Sequence, residues 1–100
     1  MPHSETPWWM PLELLQRNRF RVLEQLYALA GGDTAREMEI DDAAIAGALG
    51  IPEADAAQAV AFLIHAHYLA ETTPSGKLSF TRRAVYYLEA GAYQRRTIRD

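Results

Sequence analysis

Histidines and carboxylates are the side chains of this sequence that could bind a metal ion or transfer a proton. His65 and His67 lie two residues apart, so on a helix they point in different directions and cannot chelate one ion. His3 belongs to a polar start of the chain that we expect to be loose. Because there is no cysteine, thiolate sites and disulfides are excluded. These residues predict no metal site.

Neighbouring residues do not suggest a catalytic group either. Asp41 and Asp42 are adjacent carboxylates, but they stand at the start of an expected helix, where such residues act as caps. The pair Gly31-Gly32 is not followed by the lysine of a phosphate-binding loop. We therefore expect no catalytic residues, no cofactor and no enzymatic activity.

Charge is distributed unevenly along the 100 residues, whose net charge is −3. Residues 1–32 are neutral in sum, whereas residues 33–71 carry one arginine against eight Asp and Glu residues, a charge of −7. Residues 72–100 carry six Lys and Arg residues against two acids, a charge of +4. A polyanion would be repelled by the middle of the chain and attracted near its end.

The cations that could contact a phosphate backbone are Lys77, Arg82 and Arg83, which follow a predicted turn. Further arginines lie in residues 93–100, which we expect to form a basic C-terminal tail that frays: Arg95, Arg96 and Arg99.

Helices must position these side chains. From Leu12 to Ala30 apolar residues recur at spacings of three and four, interrupted by Arg19, which predicts an amphipathic helix ended by two glycines. A very short strand is expected at residues 37–40, where polar and apolar residues alternate. A second helix should span residues 42–49.

The second half of the chain predicts a third helix, a hairpin and a last helix. A tight turn at Gly50-Ile51-Pro52 opens the third helix, which we expect from Glu53 to about His67. Strands at 68–71 and 78–80 flank a turn cluster, and Thr81 should cap the last helix.

This order of elements resembles the winged helix-turn-helix of small bacterial transcriptional regulators. The resemblance rests on residues 42–51, on Phe62-Leu63 followed by Tyr68-Leu69, and on residues 78–81 followed by Tyr87-Leu88. It covers residues 19–92 and implies a mainly α fold with a small β-hairpin. In that fold a three-helix core carries a wing of two to three strands and a closing C-terminal helix. The resemblance further implies a homodimer on double-stranded DNA, with the third helix presenting Gln58 and His65.

The third helix departs from that family in two respects. His67 stands where the family usually has glycine, and no Lys or Arg occurs from Glu53 to His67. This helix also carries a second apolar stripe, more than one core requires, and Phe62 flanks Gln58 and His65 beside it. The stripe consists of Ala57, Ala61, Ile64 and Tyr68. The stripe is buried within a small domain, or it is covered by another chain or by an N-terminal arm, residues 1–11, that contains Trp8, Trp9 and Met10.

Two functions remain open for the domain, which we place at residues 12–92. The first is a cytoplasmic, homodimeric DNA-binding transcriptional regulator whose wing and closing helix contact phosphates. The second is a winged-helix protein interaction module with no nucleic-acid partner, which uses the apolar side of the third helix and the acidic residues 33–71. No run approaches the roughly 18 apolar residues of a membrane span, and the start lacks a signal-peptide pattern. We therefore expect no membrane partner.

Overall fold

The computed structural model describes residues 12–72, 76–89 and 98. Within those ranges, helices dominate and one two-stranded antiparallel sheet is present. The elements are α1 (Leu12–Leu29), α2 (Asp42–Leu49), α3 (Glu53–His65), β1 (Leu69–Glu71), β2 (Leu78–Phe80) and α4 (Arg82–Glu89). The expected fold class, mainly helical with a small hairpin, is confirmed. None of the described helices is long and apolar enough to cross a membrane.

Parts of the sequence named above lie outside the described residues. They include the tryptophans and the methionine of the N-terminal arm, the tip of the hairpin turn, and the arginines of the C-terminal segment: Trp8, Trp9, Met10, Arg95, Arg96 and Arg99.

The first helix is continuous, and its apolar stripe faces the core. Val22, Leu23 and Leu26 are buried, as the spacing predicts. Gly31 and Gly32 have φ angles of 68° and 78°, so they close the helix in the left-handed conformation that glycine favours. The arginine that interrupts the stripe does not break it, because Arg19 is itself only 5% exposed.

The connection between α2 and α3 is tight. Asp41 caps α2 by accepting hydrogen bonds from the amides of Ala43 and Ala44, at 3.0 and 3.2 Å. Gly50 ends the helix with a φ of 71°, and its amide donates to the Ala46 carbonyl at 2.8 Å. The predicted cap and turn are both confirmed. Residues 42–49 form the expected helix, with Ile45 and Ala46 buried.

The third helix is two residues shorter than expected because of the conformation of His67. The Tyr68 amide donates to the Leu63 carbonyl at 2.8 Å, and the His67 amide donates to the Ile64 carbonyl at 3.1 Å. This pair of bonds is a Schellman motif, which requires a left-handed residue between helix and strand. His67 takes that conformation, with a φ of 67°.

The sheet pairs Leu69 with Phe80 and Glu71 with Leu78. Met38 adds one bridge on the other side of Leu78, through two hydrogen bonds of 2.8 Å. The short strand expected at residues 37–40 is therefore reduced to a single paired residue.

The core lies between α1 and α3 and extends under the hairpin. It also includes Ile98, which is fully buried and whose amide donates to the Gln16 carbonyl at 3.0 Å. The segment that we expected to fray thus contributes a core residue at this position. Further buried side chains surround these elements: Ala56, Ala59, Val60, Leu63, Tyr68, Leu69, Leu78, Phe80 and Ala84.

We predict that His67→Gly stabilises the fold by about 1 kcal/mol. A residue with a Cβ pays roughly that amount or more for the left-handed conformation, which glycine adopts freely. The measurement is the free energy of unfolding from urea denaturation. His65→Gly is the matched control, because it lies in the right-handed last turn of α3 and should lose roughly 0.5–1 kcal/mol. Equal losses in both variants would contradict the assignment.

Candidate functional site

One side of α3 faces away from the core, and we call it the outer face of α3. Its members recur at spacings of three and four, as residues on one side of a helix must. Neither a Lys nor an Arg is among them. They are the exposed residues Ala54, Gln58, Ala61 and His65 with the half-buried Ala57 and Ile64. Gln58 and His65, the residues expected to read bases, therefore share this face, two turns apart.

Phe62 does not lie on the outer face, because it is already in contact with α1. The guanidinium carbon of Arg19 is 3.5 Å from the centre of the Phe62 ring. Nη1 of Arg19 also donates to the Ile98 carbonyl at 3.2 Å. Residues two apart on a helix point in different directions. Ile64 therefore lies at one edge of the outer face, and Phe62 lies beyond the opposite edge. The structure does not bring these two expected anchors together.

Carboxylates lie at the starts of both α2 and α3. Glu53 is exposed and Asp55 is half-buried, both in its first turn. Asp41 and Asp42 stand in the same way at the start of α2. Each of these acids is favourable to its own helix, since the macrodipole places partial positive charge at the N-terminus. At the N-terminal end of α3, Glu53 and Asp55 would repel a polyanion.

The three cations assigned to phosphate contact do not form one cluster. Arg83 donates from Nη1 to the Ala66 carbonyl at 3.1 Å, and its guanidinium carbon lies 4.5 Å from the centre of the Tyr68 ring. It therefore stabilises the C-terminal end of α3. Arg82 is exposed at the start of α4, whereas Lys77 is half-buried at the opposite end of β2.

Two arginines of α1 stabilise the fold by binding backbone carbonyls of other segments, which the sequence did not predict. Arg21 donates from Nη2 to the Leu49 carbonyl at 2.7 Å, where the α2 dipole is negative. A usable signal for the buried arginine existed, because Arg19 falls on the apolar stripe of the helix. A hydrogen bond joins α1 to α4, because the Tyr27 hydroxyl donates to the Glu89 carboxylate at 2.9 Å. That bond to a carboxylate raises the pKa of Tyr27 above its ordinary value.

A groove lies beside the end of α1, and the sequence reasoning missed it apart from Lys77. Its volume is about 490 Å³. Leu29, which is 59% exposed, is one of its apolar walls. Its lining is Leu26, Leu29, Arg36, Glu37, Met38, Glu39 and Lys77.

The described residues do not assemble a metal site. No three His, Asp or Glu side chains among those residues come close enough to hold a metal ion. Comparison of the chain with family models, curated proteins and solved structures gave no match. Function is therefore inferred from the surfaces of this chain.

We predict that Arg83→Ala lowers the free energy of unfolding by about 1 kcal/mol, because it removes a cation and a hydrogen bond from the end of α3. Arg82→Ala, one residue earlier, should change the free energy by less than about 0.5 kcal/mol, as expected for a surface site. Urea denaturation of both variants checks the difference. A larger loss for Arg82→Ala would show that we have assigned the wrong arginine to the fold.

Proposed function

We propose that this protein is a winged-helix interaction module that binds another protein through the outer face of α3. Support for the winged-helix assignment comes from the order of the elements and from the tight turn at Gly50 between α2 and α3. The bridge between Met38 and Leu78 adds to it, because it extends the hairpin toward a third strand.

The observation that carries the proposal is that no Lys or Arg lies on the outer face of α3, which is the side that a recognition helix would turn toward a duplex. Affinity for a duplex comes largely from Lys and Arg that replace counterions on phosphates. The carboxylates of Glu53 and Asp55 at the leading end of α3 would oppose that approach. A protein partner places no such demand on the helix.

The outer face has a composition suited to protein contact. Ala54, Ala57 and Ala61 are small, so a partner could approach the helix axis closely. Ile64 provides a larger apolar contact at one edge, and Gln58 provides a polar one. The carboxylates near the start of the helix favour a partner with basic residues at the rim of the interface.

A second candidate, duplex binding by the wing, is favoured by the exposure of Arg82 beside the hairpin. Lys77 is the other cation of the wing. With two such contacts, the logarithm of the binding constant would fall with the logarithm of salt concentration with a slope of roughly −2.

Site-specific photo-crosslinking tests the interaction module. A benzophenone side chain at Ala61, on the outer face, should give a discrete adduct in cells, and Ala57→Glu on the same face should abolish it. The matched control is Ala28, an exposed alanine of α1 on the side away from the core. Equal adducts at Ala61 and Ala28 would contradict the proposal. Molar mass in solution shows whether the partner is a second copy.

A duplex titration separates the second candidate. We expect no saturable binding to a 20-base-pair duplex at low salt. Binding that weakens with salt at a slope of about −2, and that Arg82→Ala removes, would support the wing and overturn the interaction module.

A further inference from the structure

The segment around Met38 has one paired side and one open side. Met38 uses both its amide and its carbonyl to bond Leu78. In a strand, the backbone groups of the flanking residues point the opposite way. Within the described residues, neither Glu37 nor Glu39 has a backbone hydrogen bond. Residues 37–39 therefore form the open edge of the sheet, which is a template for a further strand.

The open edge borders the groove at the end of α1. Met38 is buried on the side of Leu26, whereas Glu37 and Glu39 are exposed. Leu29, on the rim, is the one large apolar side chain of the groove that is mostly exposed. A strand added at this edge would place the residue opposite Met38 over these leucines.

A second copy of the chain is a poor occupant of the open edge. Antiparallel pairing about a two-fold axis at Met38 would put Glu37 of each copy opposite Glu39 of the other. Like charges directly opposite each other destabilise a strand pair. The four carboxylates would therefore oppose self-pairing, as charges on edge strands commonly do.

We propose that the open edge binds an extended segment of another protein with the pattern basic–apolar–basic. Residues opposite each other in a sheet share a face. The two basic side chains would thus meet Glu37 and Glu39, and the apolar side chain between them would enter the groove beside Leu29. Main-chain bonds to the two glutamate amides and carbonyls would supply the affinity, as in other strand additions.

The strand register indicates which of the two glutamates contributes more to binding a basic partner residue. In the pairing of Met38 with Leu78, Lys77 stands opposite Glu39 and Ser79 stands opposite Glu37. The register thus places a cation across from Glu39 and a neutral serine across from Glu37. Glu37 is therefore the carboxylate that gains more from a basic partner residue. This surface is separate from the outer face of α3, so each proposal can fail without the other.

Synthetic peptides test the site on the ¹⁵N-labelled full chain. The probe is acetyl-Ser-Thr-Thr-Lys-Val-Lys-Thr-Thr-Ser-amide, which we expect to shift the amide resonances of Glu37 and Glu39 in a saturable manner. Versions with Glu-Val-Glu or Lys-Asn-Lys at the centre should bind at least about threefold more weakly, since each loses a cross-strand pair or the groove contact. No saturation of the probe up to about 1 mM would overturn the proposal.

N-methylation separates strand addition from a merely electrostatic contact. The proposed pairing is antiparallel, so the lysine amides face the open edge, and methyl groups on both of them should abolish binding. A methyl group on the valine amide, which points away from the edge, should leave binding within about threefold. Equal binding of the two methylated peptides would overturn the proposal, as would shifts confined to the outer face of α3.

Variants of the chain complete the test, and circular dichroism checks that each remains folded. Glu37→Gln should weaken the probe about threefold and Glu39→Gln by less. Leu29→Asn should also weaken it. Glu53→Gln removes a carboxylate at the start of α3, away from the open edge, and should not change the affinity. Equal effects of Glu53→Gln and Glu37→Gln would reduce the contact to general attraction and overturn the site.

Discussion

The left-handed residue that ends α3 is the constraint on which the remaining structure depends. His67 turns the chain from the helix into β1, and its carbonyl accepts a hydrogen bond from the Thr81 hydroxyl. The same hydroxyl accepts a hydrogen bond from the Ala84 amide at 3.3 Å and so caps α4. The Thr81 amide donates a hydrogen bond to the Tyr68 carbonyl at 3.2 Å. One turn therefore fixes the start of the hairpin, its end and the direction of the last helix.

Arginine in this protein serves the fold before it serves a ligand. Arg21 binds a carbonyl at the end of α2, Arg83 binds one just after α3, and Arg19 binds the carbonyl of Ile98. For Arg21 and Arg83, a planar, permanently charged group satisfies a carbonyl that a helix end leaves without an intrahelical partner. A count of charges along the sequence cannot separate these arginines from ligand-binding ones. Among the described cations that follow β2, Arg83 is therefore committed to the fold.

Acidic residues in the middle of the chain lie at helix starts and beside the open edge. Asp41 and the acids at the start of α3 stabilise helix termini, and Glu37 and Glu39 flank the single bridged residue of the open edge. Both arrangements follow from local electrostatics, and neither requires a ligand. A partner with basic side chains is the one that we propose for the open edge.

The sequence by itself determined the elements. The spacing of apolar residues, the cap at Asp41 and the glycines at 31, 32 and 50 are local signals, and the four described helices and the hairpin appear where those signals place them. What only the tertiary structure decided is which surfaces remain available. Phe62 packs against Arg19, and Arg83 donates to a carbonyl at the end of α3. Ile98 is buried in the core, although its segment was expected to be a tail. These contacts join residues from 17 to 79 positions apart. Periodicity reports only on neighbours within a few turns, so pairings over such separations follow from packing and could not be read from the chain.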